Sequence, residues 1–393
     1  MNCHVFFRAC RSYVWTATIA CMVFGSFAGR CEAASFDANL KTILAVGKEG
    51  HGHPAAIAAV KEMSAGSGAT LIPLLNAFDD ANPLAINWLR GVFETIADRQ
   101  LKSTNRLPAK ELETFVLDVG RNPEARRLAY EWLLKVDSTA SDRLIPGMLR
   151  DASPEFRRDA VQRLIGQATA AQKGNDSPQA ITYYQEALVG AVDDDQVKAI
   201  VGPLRELGKQ VDLPKHFGFL TEWSLAGPFD NSGLKGYDTA YPPEKGVDLS
   251  AKYRGKLAEV AWERLSTTDD YGVFDLAKKT SPYKGAVTYA YTTFASDKAR
   301  PIELRLGTPN AWKLWVNGEL VFARDEYHRG TQLDQYRVKA KLRGGNNSIL
   351  LKVCQNEQTE EWAQDWKFQI RVCDSTGAAI LPNPAASTSR IDR

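Results

Sequence analysis

Two hydrophobic periods divide this chain. From about Phe36 to Leu213 apolar residues recur every three or four positions, as in Ile72, Leu75 and Phe78 and again in Ile86, Leu89, Val92, Phe93 and Ile96. That spacing lines one face of a helix. Further on the period becomes two: Ile302, Leu304 and Leu306 alternate with Glu303 and Arg305, which buries one face of a strand and wets the other. The change falls near Leu213-Pro214, with strands expected from Phe217. The fold class is therefore multidomain α plus β, an α-helical repeat region followed by an antiparallel β-sandwich. A length of 393 residues with 44% apolar content is enough for two or three such cores.

The first 33 residues read as a leader. Arg8 and Arg11 precede an apolar stretch from Tyr13 to Ala28, and Cys31-Glu32-Ala33 puts small residues at the minus-three and minus-one positions of a cleavage site. A signal peptide removed after Ala33 is expected, and with it export to the periplasm or outside the cell. The alternatives are an uncleaved anchor, for which about 16 apolar residues interrupted by Thr16, Thr18 and Ser26 are short of the roughly 20 a span needs, or a lipoprotein at Cys21. Taking away Arg8, Arg11, Arg30 and Glu32 leaves equal numbers of basic and acidic residues. A neutral mature chain without a Lys/Arg cluster argues against a nucleic-acid partner and against polybasic membrane docking, and no membrane span is expected in it.

Only Cys354 and Cys373 lie beyond the leader. Export permits a disulfide. Each cysteine ends a predicted strand, and in a simple hairpin the two would stand at opposite ends of the ladder, so two free, half-buried thiols are expected rather than a disulfide.

Three turns in the helical half share a theme: Asp80-Ala81-Asn82-Pro83, Gly120-Arg121-Asn122-Pro123 and Arg150-Asp151-Ala152-Ser153-Pro154. Each sets Asn or Ser at a helix N-cap and Pro at the first helical position, where its missing N–H costs nothing. Their spacing, about 40 and then about 31 residues, suits a two-helix repeat. These residues resemble HEAT-like repeats over 34–172, with a long Arg99 to Lys110 connection departing from a regular array. Ser177-Pro178-Gln179-Ala180-Ile181-Thr182-Tyr183-Tyr184-Gln185-Glu186-Ala187-Leu188 is similar to a tetratricopeptide hairpin over 173–213. One such unit cannot bury its own face, so it is expected to cap the stack. Asp193-Asp194-Asp195 reads as a helix start. Trp88, Trp132, Tyr183 and Tyr184 are expected in packing. The arm serves either for docking a protein or peptide or as a rigid spacer.

In the β half the sequence predicts strands at Val287 to Phe294, Ile302 to Leu306, Trp312 to Val316, Glu319 to Phe322, Tyr336 to Leu342, Ser348 to Cys354 and Trp366 to Cys373. Asn317-Gly318 suits a type I′ hairpin, with a second turn at Gly344 to Asn347. The motif Trp223-Ser224-Leu225-Ala226-Gly227-Pro228-Phe229-Asp230-Asn231, followed by Tyr241-Pro242-Pro243-Glu244 and Tyr253-Arg254-Gly255-Lys256, resembles the galactose-binding-like, jelly-roll sandwiches that accompany glycoside hydrolases in exported bacterial proteins. The resemblance runs from Glu222 to Ile380, giving a sandwich over 214–382 and a disordered tail over 383–393. It implies ligand contacts from loops at one end of the sandwich, where aromatic faces stack on sugar rings and carboxylates or amides bind hydroxyls. The matching loops are Asp230 to Tyr241, Ala323 to Asp334 and Gln355 to Asp365. Within them Asp325, Tyr327, Arg329 and Trp362 are the candidate ligand-binding residues, while Trp223, Trp315 and Trp366 fall on core positions.

Chemistry is thinly signposted. His51, His53, His216 and His328 are the histidines beyond the leader, and His51-Gly52-His53 has no further metal ligand nearby. There is no Gly-x-Ser-x-Gly, His-Glu-x-x-His, P-loop or Cys-x-x-Cys motif. No catalytic residue, metal site or cofactor is expected. The functional expectation is an exported, non-catalytic binding protein whose sandwich recognises carbohydrate or an exported or cell-surface protein. The alternatives are a protein-assembly scaffold without a sugar site and a carbohydrate-active hydrolase using carboxylates that no motif marks.

Overall fold

The computed structural model describes residues 35–383, so the leader with its cleavage after Ala33, and the tail past residue 383, lie outside the described residues. The chain is mixed α plus β, helical first and then built of antiparallel sheets. It divides into two compact units, one ending at Leu164 and one beginning at Ile165.

The first unit contains α1 (residues 35–44), α2 (His53–Ser64), α3 (Leu71–Asn76), α4 (Pro83–Thr104), α5 (Ala109–Leu117), α6 (Pro123–Leu133), α7 (Ala140–Leu144) and the start of α8 (Pro154–Lys173). The apolar stripe delivers its core: Leu75, Phe78, Ile86, Leu89, Val92, Phe93 and Ile96 are buried. The expected Arg99 to Lys110 connection is shorter, because α4 continues to Thr104. Asn105 ends it in the left-handed region with its N–H on the Leu101 carbonyl. Polar residues around that last turn hide the helix, which local contacts such as the Lys102–Asp98 ion pair (2.8 Å) support.

The repeated turns do two jobs each. Asn82 Oδ1 accepts the Leu84 and Ala85 N–H groups, capping α4, while its Nδ2 donates to the Val46 carbonyl just past α1 (2.8 Å). Asn122 caps α6 in the same way and donates to the Phe78 carbonyl past α3 (3.2 Å). Before α8 a buried ion pair takes this place. Arg126 grips both Asp151 oxygens at 2.7 Å and donates through Nε to the Val116 carbonyl (2.8 Å), and Asp151 also accepts the Ser153 N–H.

The second unit contains the rest of α8, then α9 (Ser177–Gly190), α10 (Asp194–Glu206) and α11 (Leu213–Phe217). The α9–α10 hairpin is fastened to the β region by Tyr271, whose hydroxyl donates to Asp194 (2.7 Å), and by Arg205 on Asp270 (2.9 Å). Residues 173–213, read as a cap on the helical stack, thus belong to the same unit as the sheets. Phe217, expected to open the strands, closes α11 instead. Asp212 accepts the Lys215 N–H at the start of that helix, and Gly218 ends it at φ 77°.

The strands are β1 (Glu222–Asp230), β2 (Lys252–Arg254), β3 (Glu259–Ala261), β4 (Glu263–Ser266), β5 (Phe274–Asp275), β6 (Ala286–Ser296), β7 (Arg300–Gly307), β8 (Ala311–Val316), β9 (Glu319–Arg324), β10 (Tyr336–Leu342), β11 (Gly345–Gln355) and β12 (Lys367–Cys373). They form a six-stranded sheet in the order β4-β1-β6-β11-β8-β9, a four-stranded sheet β10-β7-β12-β5 and the ribbon β2-β3. One core lies between the two larger sheets, where Trp223, Trp312, Leu314 and Ile349 meet Leu304, Leu306, Trp366, Phe368 and Ile370. The six-stranded sheet is buried on its other face as well, around Phe229, Tyr289, Trp315, Leu350 and Cys354. This double burial explains why apolar residues occupy both faces of β11, as in Ile349-Leu350-Leu351 and Val353-Cys354. Asn317 and Gly318 both take positive φ (53° and 81°), as the expected hairpin turn requires.

A strap of chain between β1 and β3 covers that second face, and the Gly-Pro-Phe-Asp-Asn, Tyr-Pro-Pro-Glu and Tyr-Arg-Gly-Lys motifs build it. The Phe229 ring lies 4.8 Å from Tyr241 and 5.6 Å from Tyr289. Lys352, fully buried on β11, donates to the Tyr237 and Thr239 carbonyls (2.9 and 2.8 Å) and to Glu244 (2.7 Å). Lys256 pairs with Asp230 (3.0 Å). Cys354 and Cys373 are buried and unpaired, but for a reason other than ladder ends: β11 and β12 belong to different sheets. Burial pushes their thiols up to about 12 and about 11.

Candidate ligand-binding end of the sandwich

The three loops singled out by sequence converge at one end of the sandwich, where β1, β9 and β11 finish. Asn231, with no exposed surface, is the joint: its Nδ2 donates to the Tyr327 hydroxyl (3.1 Å) and to the Gln355 carbonyl (3.0 Å). Its neighbourhood admits no side chain at position 236, since a Cβ on Gly236 would meet Asn231 Oδ1 at 2.8 Å. Glu357 accepts the Gly233 N–H (2.8 Å), tying the first loop to the third. Beneath them Asn310 Nδ2 donates to Gln355 Oε1 (3.2 Å) and to the Asp365 carbonyl (3.1 Å).

His328 stands at the centre of the outer layer. Its backbone is left-handed (φ 59°), an uncommon state for a non-glycine residue, and its N–H is fixed on the Pro309 carbonyl at 2.6 Å. Asn356 Nδ2 lies 2.7 Å from His328 Nε2. The imidazole meets the Trp362 ring at 4.8 Å, nearly perpendicular, and the Tyr327 ring at 6.2 Å.

Of the four candidates, Trp362 and Tyr327 are brought to this place, both with their rings near His328. Trp362 is 62% exposed, although it belongs to the class of large apolar residues that folding usually covers. Tyr327 is half-buried against the aromatic layer beneath the strap. Burial raises its phenol, the Cys354 and Asp325 charges add to this, and the Asn231 amide opposes it. Asp325 is exposed, and its charge reinforces the effect of burial on Tyr237, whose phenol is pushed up to about 12. Arg329 turns away to Glu326 (3.1 Å), which Arg324 also holds (2.6 Å). These pairs lower the Glu326 carboxyl, led by the Arg324 hydrogen bond.

Asn231, His328 and Asn356 were not singled out by sequence reasoning. Two carried a signal. Asn231 closes the Trp223 to Asn231 motif, and His328 sits inside the loop that concentrates donors and acceptors. Asn356 carried none beyond lying in the third loop. Among the described residues no group of three or more His, Cys, Asp or Glu is placed to hold a metal. His53 instead packs edge-on against Trp88 (5.4 Å). No helix among the described residues is long and apolar enough to cross a membrane.

No family model matches the chain, and no curated protein matches it. Among solved structures it is similar to a beta-glucosidase from Kluyveromyces marxianus in complex with glucose, at 10% identity and a TM-score of 0.25, over 39% of this chain and 16% of that one. A second structure of the beta-glucosidase from that yeast, selenomethionine-labelled, aligns at 9% identity and a TM-score of 0.26 over 76% of this chain and 38% of that one. This chain therefore spans well under half the length of those it matches, and likeness at that level carries no argument about fold or activity. What the loop end offers chemically rests on its own groups: an exposed indole beside an imidazole, with amides and a carboxylate around them.

Proposed function

We propose that this is an exported, non-catalytic binding protein that takes carbohydrate at the loop end of its galactose-binding-like sandwich, with the HEAT-like helical region as its arm. The supporting observation is the exposed Trp362 indole, held beside His328 on a base of hydrogen-bonded amides. An aromatic face with fixed polar neighbours suits a sugar ring, which presents C–H groups to the indole and hydroxyls to amides. Because the supporting loops are already tied to one another through Asn231, little ordering is left for binding to impose. A glycan array probed with the full mature chain tests the reading. Selective binding is expected, weakened at least about thirtyfold in Trp362→Ala, the scale of a buried aromatic anchor. Tyr327→Phe, which keeps the ring and loses only the contact with Asn231, is expected to bind nearly as well as the parent. Silence across neutral and acidic glycans alike would sink the carbohydrate reading and favour a protein-assembly scaffold.

A further inference from the structure

The outward face of β10 carries Arg337, Lys339 and Lys341 at alternate positions, and Arg343 follows directly after the strand. All four are exposed, while Val338 and Leu342 between them are buried. At about 3.3 Å per residue the four cations span about 20 Å. β10 is the edge of its sheet, so the stripe borders a strand with one unpaired side. Two carboxylates beside the strand are already committed. Glu303, across the ladder from Lys339, is held by Arg305 (2.8 Å), and Asp334 is held by Arg305 (2.8 Å) and Arg371 (2.6 Å). These two acids and two guanidiniums neutralise one another. Among the described residues the four cations of the stripe make no ion pair. Beyond the strand, Lys341 and Arg343 border a hollow of about 1010 Å³ that Asn346, Asp297 and Glu319 also line. Asp297 is paired with Arg300, which leaves Glu319 as the open carboxylate there.

We propose that this stripe and the hollow at its end bind an acidic polysaccharide, a flexible chain whose repeating carboxylates or sulfates face successive cations. A row of unpaired, evenly spaced cations offers charge complementarity to such a polymer. The stripe has no aromatic ring interleaved with its cations, and stacking platforms are what single-stranded nucleic acid requires. The exposed Asn346 amide adds a donor and an acceptor for hydroxyls. The site lies apart from the Trp362 loops and does not depend on the function proposed for them.

Edge strands also carry charge simply to discourage pairing with other chains, and for that purpose either sign serves. Charge reversal therefore separates the two roles. Full-length protein is titrated with polygalacturonate, a heparin-type sulfated glycan, neutral dextran, oligo-dT and vesicles containing phosphatidylserine, by calorimetry or fluorescence. The expected result is binding to the two acidic glycans and not to dextran, weakening at least about tenfold between 50 and 200 mM salt as released counterions cease to help. Lys339→Glu with Lys341→Glu should weaken it at least tenfold while leaving the thermal transition in place, and Lys339→Ser with Lys341→Ser should do so to a smaller degree. Unaltered glycan binding by the Glu variant, no glycan binding at 50 mM salt, or tighter binding to oligo-dT or vesicles than to glycan would each overturn the proposal.

Discussion

The two compact units bury polar groups by different means. In the first, the fastenings join helix ends: Asn82 and Asn122 reach carbonyls with neutral amides, and a buried ion pair, Arg126 with Asp151, does the same before α8. In the second, charges are buried on the outer faces of both sheets, Lys352 with Glu244 on one and Arg371 and Arg305 with Asp334 on the other. The cause is backbone geometry. A helix satisfies its own interior N–H and C=O groups and exposes orphans only at its ends. An irregular strap laid over a sheet has no ladder of its own, so its buried carbonyls need donors from elsewhere. Lysine, with three donors and no acceptor, can serve two carbonyls and a carboxylate at once, and Lys352 does so for Tyr237, Thr239 and Glu244.

This contrast can be broken by removing one charge from each unit. Lys352→Met should have the largest effect, because it orphans two buried carbonyls and leaves Glu244 beside the Tyr289 hydroxyl without its cation. A cost of about 3–5 kcal/mol is expected, read as a shift in the denaturation of the second unit and as faster hydrogen exchange along residues 231–256. Unchanged exchange there would mean that the aromatic contacts of Phe229 and Tyr241 hold the strap by themselves. Arg126→Met should cost less, about 2–3 kcal/mol in the first unit, since Asp151 keeps the Ser153 N–H and the nearby Arg157. The Asp151 carboxyl explains why a remainder survives. Burial pushes it up, but Arg126, the Ser153 N–H and Arg157 together bring it below its ordinary value. An equal or greater loss than for Lys352→Met would remove the distinction between the units.

The same contrast accounts for what the sequence revealed. Helical and strand periods are local, so the passage from helices to strands, the approximate places of the seven strands β6 to β12 and the capping Asn residues could be read directly, while the short strands β2 to β5 could not. The Trp362 and Tyr327 loops were found because the resemblance pointed to one end of a sandwich. Lys352 was invisible: inside an apolar run it reads as an outward-facing residue of a half-buried strand, whereas the strap buries both faces of the sheet. The stripe on β10 escaped for a related reason. Arg337, Lys339, Lys341 and Arg343 are separated by Val338, Ala340 and Leu342 and form no cluster in the sequence, yet a period of two gathers them on one face. Asn231 was visible only as the last residue of a motif, and only the folded loops give its amide two partners from distant segments.

Acid should separate the two units by a smaller effect. His216 is largely buried in the second unit, its Nε2 2.9 Å from the Ala191 carbonyl and its ring 5.3 Å from Phe217. Burial lowers its pKa, the Arg371 charge adds to this, and the Ala191 carbonyl opposes it. The folded value thus lies below the unfolded one of about 6.5. As pH falls through about 6.5 the unfolded chain takes up a proton that the folded chain still refuses, and the second unit loses stability until the folded imidazole also protonates. One proton limits the slope to about 1.4 kcal/mol per pH unit. The first unit answers to acid differently. Asp151 is held below its ordinary value, so its contribution persists down to about pH 4 and is lost only below that. Between pH 7 and 5 calorimetry should therefore show the transition of the second unit moving down while that of the first stays. His216→Gln, which keeps a donor for Ala191 and removes the titration, should flatten the movement. If the slope survives that substitution, the proton goes elsewhere, and His216 is not what makes the second unit the acid-sensitive one.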